Sequence, residues 1–287
     1  MLSRFGRNRD ARAPSPQECG DPRTALRGRG ILRRVHELVV FAAAFVAGAI
    51  NAVAGGGTLV TFPALLWLGL PENVANATST ASLWPGALGG VWGYRRELRG
   101  SDRRLYVLAV PSVIGGVLGA VLLQITPNDT FKQLVPFLIL FATVLFMGQD
   151  VLQRRFNLTA VQAHGAGWFS WAMAFQFGVA VYGGYFDAGI GILMLAALSL
   201  MGLTDIHRMN GIKNLLAFCI NCLAGLYLLF FSGLVIPWDA LVMAIGAITG
   251  GVGGAGMARR IGRPAVRRLV IAIGFIAALD QMRRLWL

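Results

Sequence analysis

Two glycine-rich segments, each with polar neighbours, are the parts of this sequence best suited to binding chemistry. A Gly-Gly-Gly run at residues 55–57 precedes Thr58, and a Gly-Ile-Gly run occupies residues 189–191. Glycine lets the backbone approach a ligand closely, and a helix N-terminus carries a partial positive charge and free N–H groups. Each run therefore predicts a backbone site for a small anion. The alternative is that these glycines only allow close packing of helices.

Short polar side chains follow both runs, and asparagine, threonine and serine can hydrogen-bond an oxyanion without a fixed charge. Lys213 either adds one positive charge to the site or is an interfacial lysine near a helix start. The predicted substrate-binding residues are Asn51, Gly55, Gly56, Gly57, Thr58, Asn76, Thr78, Ser79, Gly189, Gly191, Asn210 and Lys213.

Asp187 is the most conspicuous acidic residue, because it lies beside the second glycine run in an apolar stretch. A carboxylate at membrane depth is costly unless it is paired or hydrated, which makes it a functional candidate. Burial disfavours the charged form, so Asp187 is the candidate for carrying a coupled proton. The alternative is that Asp187 caps the N-terminus of the following half-helix.

The elements that must position these residues are apolar helices. Of 287 residues, 56% are hydrophobic and 14% are charged, whereas soluble domains carry about 25% charged residues. The apolar runs are continuous, without the period-two alternation of a membrane β-barrel. They predict an all-α integral membrane protein, a polytopic bundle of helices.

The apolar runs form two similar series, at about 38–150 and about 165–287. Each series contains one glycine-broken segment followed by three uninterrupted segments. The letters at 54–57 match those at 188–191, and those at 68–70 match 201–203. This pattern predicts two homologous halves related as inverted repeats. In this interpretation each broken segment is a hairpin, whereas a first segment that spans fully would break the symmetry.

The basic residues indicate topology rather than nucleic-acid binding. The net charge is +13, but the arginines lie in short clusters between apolar runs, at 95–104, 154–155 and 259–268. The hairpin interpretation puts these loops on one side, which the positive-inside rule makes cytoplasmic, next to anionic lipid headgroups. Residues 1–37 are rich in arginine and proline and predict a disordered tail before a single transmembrane domain at 38–287.

Motifs for catalysis or cofactor binding are missing from the sequence, which predicts no enzyme, no metal site and no cofactor. There are three histidines, and neither a His-Glu-x-x-His nor a Walker motif occurs. Cys219 and Cys222 have no second pair of zinc ligands, and we interpret them as packing residues. The alternative is a membrane assembly or thiol-handling protein that uses both cysteines.

Together, the motifs of both halves resemble the TauE/SafE sulfite exporter family, also called the toluene-sulfonate uptake permeases. The resemblance covers about residues 38–279, and the second half departs from the first in having Ile190 at the middle glycine. It implies a multi-pass secondary transporter of the bacterial inner membrane for sulfite, sulfonates or related anions; an anion channel is the alternative. The motifs are Gly48–Thr58, Phe62–Leu66, Gly69–Pro71, Ala75–Ser79, Gly184–Phe186, Ala188–Gly191 and Asn210–Asn214.

Overall fold

A computed structural model describes residues 22–53, 56–93, 95–99, 106–159, 168–200, 203, 205–254 and 263–286. The chain divides into two units, Met1–His36 and Glu37–Leu287. The regular structure of the described residues is helical throughout. The helices are α1 (Pro22–Val53), α2 (Thr58–Trp67), α3 (Glu72–Gly93), α4 (Arg95–Arg99), α5 (Ala109–Ile125), α6 (Asn128–Thr159), α7 (Trp168–Tyr185), α8 (Ile190–Leu200), α9 (Ile206–Tyr227), α10 (Pro237–Thr249) and α11 (Arg263–Trp286), with π-helical turns at Leu228–Ser232 and Gly250–Gly254.

The prediction of an all-α membrane protein is confirmed. Three described stretches are long and apolar enough to cross a membrane, namely Arg33–Asn51, Asn128–Gly148 and Arg208–Ser232. The outer surface carries large exposed apolar side chains, and Phe230 and Phe231 are each 72% exposed. An apolar exterior of this kind is the surface that lipid covers.

The first helix begins earlier than the sequence predicted. Pro22, expected to lie in a disordered tail, is the first residue of α1. Proline suits the first helical position, because the N–H that it lacks would have no partner there in any case. Residues 1–21 of the predicted tail lie outside the described residues.

The two predicted halves contain the same order of helices. In each, two helices meet at a glycine-rich break and three longer helices follow, apart from the five-residue α4. The half-helices α2 and α8 have 10 and 11 residues, about 15 Å at 1.5 Å per residue, which is about half of a bilayer core. The third helices of the series, α3 and α9, have 22 residues each.

Matching hydrogen bonds align the two breaks. Leu59 N–H donates to Gly56 O and Ile192 N–H donates to Gly189 O, both at 3.1 Å, a shift of 133 residues (59 to 192, 56 to 189). Gly56 and Gly189 also share a left-handed conformation, with φ of 89° and 81°. The structural equivalent of Gly56 is therefore Gly189. The sequence comparison paired Gly56 with Ile190 and was wrong by one residue. It aligned identical residue types, whereas the equivalent positions are those with the same backbone conformation.

Contacts between α3 and two later helices show their relative directions. Along α3, Thr78 contacts Ile236 and Ser82 contacts Met243, so α3 and α10 run parallel. Between α3 and α9, Ala81 lies against Gly225 and Trp84 lies against Phe218. The numbers rise along α3 and fall along α9, so these two helices are antiparallel. Because α3 is antiparallel to its equivalent α9, the two series run in opposite directions, as expected for inverted halves.

The first helix of each series packs closely on a late helix of the other. A Cβ at Gly250 would collide with the backbone oxygen of Phe45, and Trp238 Nε1 donates to Glu37 Oε1 at 2.9 Å, so α1 runs parallel to α10. Since α3 also runs parallel to α10, α2 must return between α1 and α3. The broken segment of the first half is therefore a hairpin.

We expect tags placed after Arg99 and at Arg263 to lie on one side of the membrane and a tag at Val235 to lie on the other. Arg99 follows α3 and Arg263 follows α10, two parallel helices, whereas Val235 precedes α10. Paired cytoplasmic and periplasmic reporters fused at each position measure the side. Reporters that put Arg99 and Val235 on the same side would contradict the inverted arrangement.

Candidate functional site

The two glycine-rich breaks lie in contact with each other. Thr58 Oγ1, at the start of α2, donates a hydrogen bond of 2.6 Å to Asp187 Oδ2 in the second break. Both side chains are buried, with 2% and 7% exposure. Asp187 has a left-handed backbone with φ of 65°, a conformation that is uncommon outside glycine and best tolerated by asparagine and aspartate. That backbone directs the carboxylate towards the other half.

Asp187 does not have the predicted N-cap position. Helix α8 begins at Ile190, so Gly189 lies immediately before it. Ile192 N–H donates to Gly189 O, which closes the first turn of α8. The carboxylate of Asp187 binds a side chain of the opposite half, which leaves its role as a proton carrier as the remaining hypothesis.

Asn51 and Asn76, predicted to bind substrate, satisfy the unwound backbone in this conformation. Asn51 Oδ1 accepts from Gly57 N–H at 2.7 Å, which fixes the entry to α2. Asn76 Nδ2 donates to Tyr185 O at 2.8 Å, at the end of α7. Each break is thus held by an amide side chain.

A cavity of about 70 Å³ lies between the breaks, near the middle of α3 and α9. One water molecule needs about 10–15 Å³ by this measure, so the cavity has room for a few waters or one small ion. It is lined by Asn51, Gly56, Thr58, Leu83, Gly86, Ala87, Asp187, Ile190, Gly191, Lys213, Asn214, Ala217 and Asn221.

One face of α9 supplies a cation and two amides to this cavity. Lys213, Ala217 and Asn221 are four residues apart, and Asn214 lies beside them, so they share a helix face. Lys213 is 5% exposed, and its stem passes the start of α8, where a Cβ at Gly191 would lie 3.4 Å from Lys213 Cδ. The cavity therefore holds one basic and one acidic side chain, Lys213 and Asp187.

Other predicted binding residues lie away from the cavity lining. Thr78 Oγ1 accepts from Ile236 N–H at 3.1 Å, and Ser79 shares a hydrogen bond of 2.6 Å with Thr61. The remaining predicted residues are Gly57, which donates to Asn51, Gly189, which is buried, Asn210, which is half-buried, and Gly55, which lies outside the described residues.

Asn221 is the residue that the sequence analysis missed. It hydrogen-bonds the carboxylate of Asp187, and its Oδ1 is buried without a hydrogen-bond partner among the described residues. The available signal was an asparagine in an apolar run, eight residues after Lys213. The sequence analysis considered its neighbours Cys219 and Cys222 and not Asn221. Both cysteines are free and half-buried, and they lie outside the cavity lining.

Over residues 40–280 the sequence matches the family described as "Sulfite exporter TauE/SafE". The chain belongs to the TauE/SafE family. Curated relatives include a "Probable membrane transporter protein" of Haemophilus influenzae, 28% identical over 83% of this chain and 91% of the relative. "Probable membrane transporter protein ORF9" of Sinorhizobium sp is 29% identical over 86% and 95%, and YfcA of Escherichia coli is 27% identical over 83% and 86%. No solved structure matches the chain.

These findings make the TauE/SafE protein a membrane transporter and confirm the prediction that it is not an enzyme. Because transporters bind substrate near the middle of the membrane at broken helices, the cavity between the two breaks is the candidate substrate site. Which residues bind substrate in this chain is a matter for proposal.

We expect Gly56→Ala to lower the stability of this TauE/SafE protein more than Gly69→Ala. Both glycines are left-handed, with φ of 89° and 87°, so each alanine costs about 1–2 kcal/mol of backbone strain. Only at Gly56 would the new Cβ also lie 2.5 Å from Phe146 Cε2, because nothing lies within 4 Å of that position at Gly69. Thermal unfolding in detergent compares the two variants. Equal melting temperatures would show that the break tolerates the methyl group.

Proposed function

We propose that this transporter carries a small inorganic oxyanion, sulfite or bisulfite, through the cavity between the breaks. The single observation that carries this proposal is a cavity of about 70 Å³ that contains buried Lys213 and the first residues of α2 and α8. A sulfur atom with three oxygens suits that volume, whereas the ring of an aryl sulfonate needs more room. The description of the family as sulfite exporters supports the same substrate class.

The electrostatics of the cavity favour an anion. Thr58 and Gly191 lie at the N-termini of α2 and α8, where the helix dipole contributes a partial positive charge. The Lys213 ammonium adds a full positive charge, which attracts an anion that enters the cavity.

Asp187 couples anion binding to a proton in this proposal. The ionised carboxylate balances Lys213, which leaves little attraction for an anion. The protonated carboxyl leaves the positive charge of Lys213 for the substrate, so a proton and a monovalent anion bind together and cross without net charge. Tyr182 also lies near Asp187, and its hydroxyl donates to Ala188 O at 2.8 Å.

Asn221 links the two binding events. An amide offers donors on one atom and acceptors on the other, and Asn221 bonds to Asp187 while its own Oδ1 has no partner among the described residues. The ionised carboxylate accepts from the Asn221 amide nitrogen. The protonated carboxyl donates to Oδ1 instead, and the amide then turns its N–H groups towards the cavity and the anion.

The relatives are bacterial proteins, and we assign this one to the bacterial inner membrane with its arginine-rich loops in the cytoplasm. A secondary carrier exchanges substrate across the membrane, whereas a channel does not couple the two directions. Counterflow of labelled sulfite in proteoliposomes distinguishes these mechanisms.

We expect purified protein to catalyse sulfite counterflow and Gly191→Ala to slow it. The added methyl group would lie 3.4 Å from Lys213 Cδ, an ordinary van der Waals distance, so the helix is not strained but the cavity has less room for the anion. Gly178→Ala is the matched control, because that helical position has nothing within 4 Å. Lys213→Met should abolish saturable counterflow. Normal counterflow in Gly191→Ala and Lys213→Met would disprove this binding site.

We expect Asp187→Asn to remove the pH dependence of transport while changing sulfite affinity little at low pH, where the wild-type carboxyl is protonated in this proposal. Asn221→Leu keeps the side-chain volume but loses the amide, so it should weaken sulfite binding at low pH. The double variant should show non-additive losses, because the two residues act as one unit. Wild-type and variant proteins are compared at the same set of pH values, so that ionisation of the substrate cancels.

The matched control for this comparison is Asp239→Asn. Asp239 is another buried acid, 5% exposed, and it lies outside the cavity lining. Its amide variant should keep the pH profile of the wild type. If Asp187→Asn also keeps that profile, Asp187 is not the coupling group.

A further inference from the structure

The cavity occupies only one side of the contact between α3 and α9. The second half has one more residue between its break and α9 than the first half has before α3, and both helices have 22 residues. Positions 79 and 80 of α3 therefore correspond to 213 and 214 of α9. Lys213 and Asn214 line the cavity, whereas Ser79 and Thr80, buried at 0% and 1% exposure, lie outside its lining. A two-fold arrangement of helices thus has a polar face that lines a cavity on α9, here called the open side, and an equivalent face on α3 that does not, here called the closed side.

Gly225 holds the closed side together. A Cβ at Gly225 would lie 3.0 Å from Trp84 Cδ1, 3.1 Å from Ala81 Cα and 3.2 Å from Thr80 O, so α9 lies close to the backbone of α3 at Thr80 and Ala81. The position of α3 that corresponds to Gly225 is Val91, in the half of α3 that borders the cavity. Glycine therefore allows close approach on the closed side, and valine stands at the equivalent place on the open side.

Two buried polar atoms on the closed side have no hydrogen-bond partner among the described residues. They are Thr80 Oγ1 and Asn76 Oδ1, from side chains one helical turn apart on α3. Asn76 is 0% exposed. An unsatisfied buried polar atom costs about 1–3 kcal/mol of stability, so its presence in a folded protein needs an explanation. A second conformation, in which both atoms contact water or substrate, would explain why these two atoms are polar.

We propose that Asn76, Ser79 and Thr80 line a second anion vestibule, which is closed in this conformation and opens on the opposite side of the membrane. The inference rests on the proposed function, because it completes the path of the same anion. When α9 separates from α3 at Gly225, the Thr80 hydroxyl and the Asn76 amide become ligands, and the cavity at Lys213 closes. The two vestibules face opposite sides because α3 and α9 are antiparallel.

Thiol labelling tests which side each vestibule faces. The background protein carries serine at Cys19, Cys219 and Cys222, and single cysteines are introduced as Thr80→Cys and Asn214→Cys. A charged, membrane-impermeant methanethiosulfonate is applied to inside-out and right-side-out vesicles. We expect Asn214→Cys to react from the side that carries Arg99 and Thr80→Cys to react from the other side. Ala142→Cys, buried at 0% exposure on α6, is the unreactive control.

A wedge in the closed side should shift the balance between the two conformations. Gly225→Ala places its methyl group against Trp84, Ala81 and Thr80. The labelling rate of Thr80→Cys should therefore rise about tenfold and that of Asn214→Cys should fall, as expected for a shifted equilibrium. Gly178→Ala should change neither rate. Val91→Gly removes the bulk on the open side and should change both rates in the opposite sense.

The labelling pattern also decides the proposal independently of the substrate. Reaction of Thr80→Cys only from the side of Asn214→Cys, or no reaction from either side in a protein that transports, would overturn the second vestibule. Unchanged rates in both Gly225→Ala and Val91→Gly would overturn it as well. Labelling from opposite sides in a protein without sulfite counterflow would support the vestibule and reject sulfite as the anion.

Discussion

Unwound backbone inside a membrane protein must find hydrogen-bond partners in the protein itself, because lipid offers none. Both glycine-rich breaks meet this requirement with amide side chains from neighbouring segments. Asn51 accepts from Gly57 N–H, and Asn76 of α3 donates to Tyr185 O at the other break. These bonds require the breaks to lie between long helices rather than at the lipid surface. The hairpin of the first half and the cavity between the two breaks are consistent with that requirement.

The same cavity contains an acid and a base, and their placement is an electrostatic compromise. Removing either charge from water is expensive, and a single buried charge is the most expensive case. Lys213 and Asp187 line one small space, which limits the net charge there, and Thr58 and Asn221 donate hydrogen bonds to the carboxylate. In the proposed mechanism, a proton or a monovalent anion changes this balance by one unit of charge. The proposed site would therefore respond to both species.

Local sequence pattern predicted the helices and the two breaks, since apolar length and glycine content are local properties. It could not predict contacts between distant residues. Thr58 and Asp187 are 129 residues apart, and a residue type alone does not show which partner it bonds. For the same reason Thr78 looked like a ligand but binds a backbone N–H in this conformation, and Asn221 went unnoticed. The alignment of the breaks needed the backbone angles, because the matching letters favoured a register one residue away.

Inverted halves with identical residues would give two conformations of equal energy, one facing each side. This chain differs between its halves at positions where the energy matters. Lys213 on α9 stands where α3 has Ser79, so in the proposed mechanism one vestibule contains the lysine and the other does not. Gly225 on α9 packs against Thr80, whereas the equivalent position on α3 is Val91. This difference favours close packing of the helices on the side of Gly225. In the proposed mechanism an anion therefore meets a face with Lys213 on one side and a neutral polar face on the other. Differences of this kind, rather than the shared fold, would then set the affinity that each side of the membrane presents to the substrate.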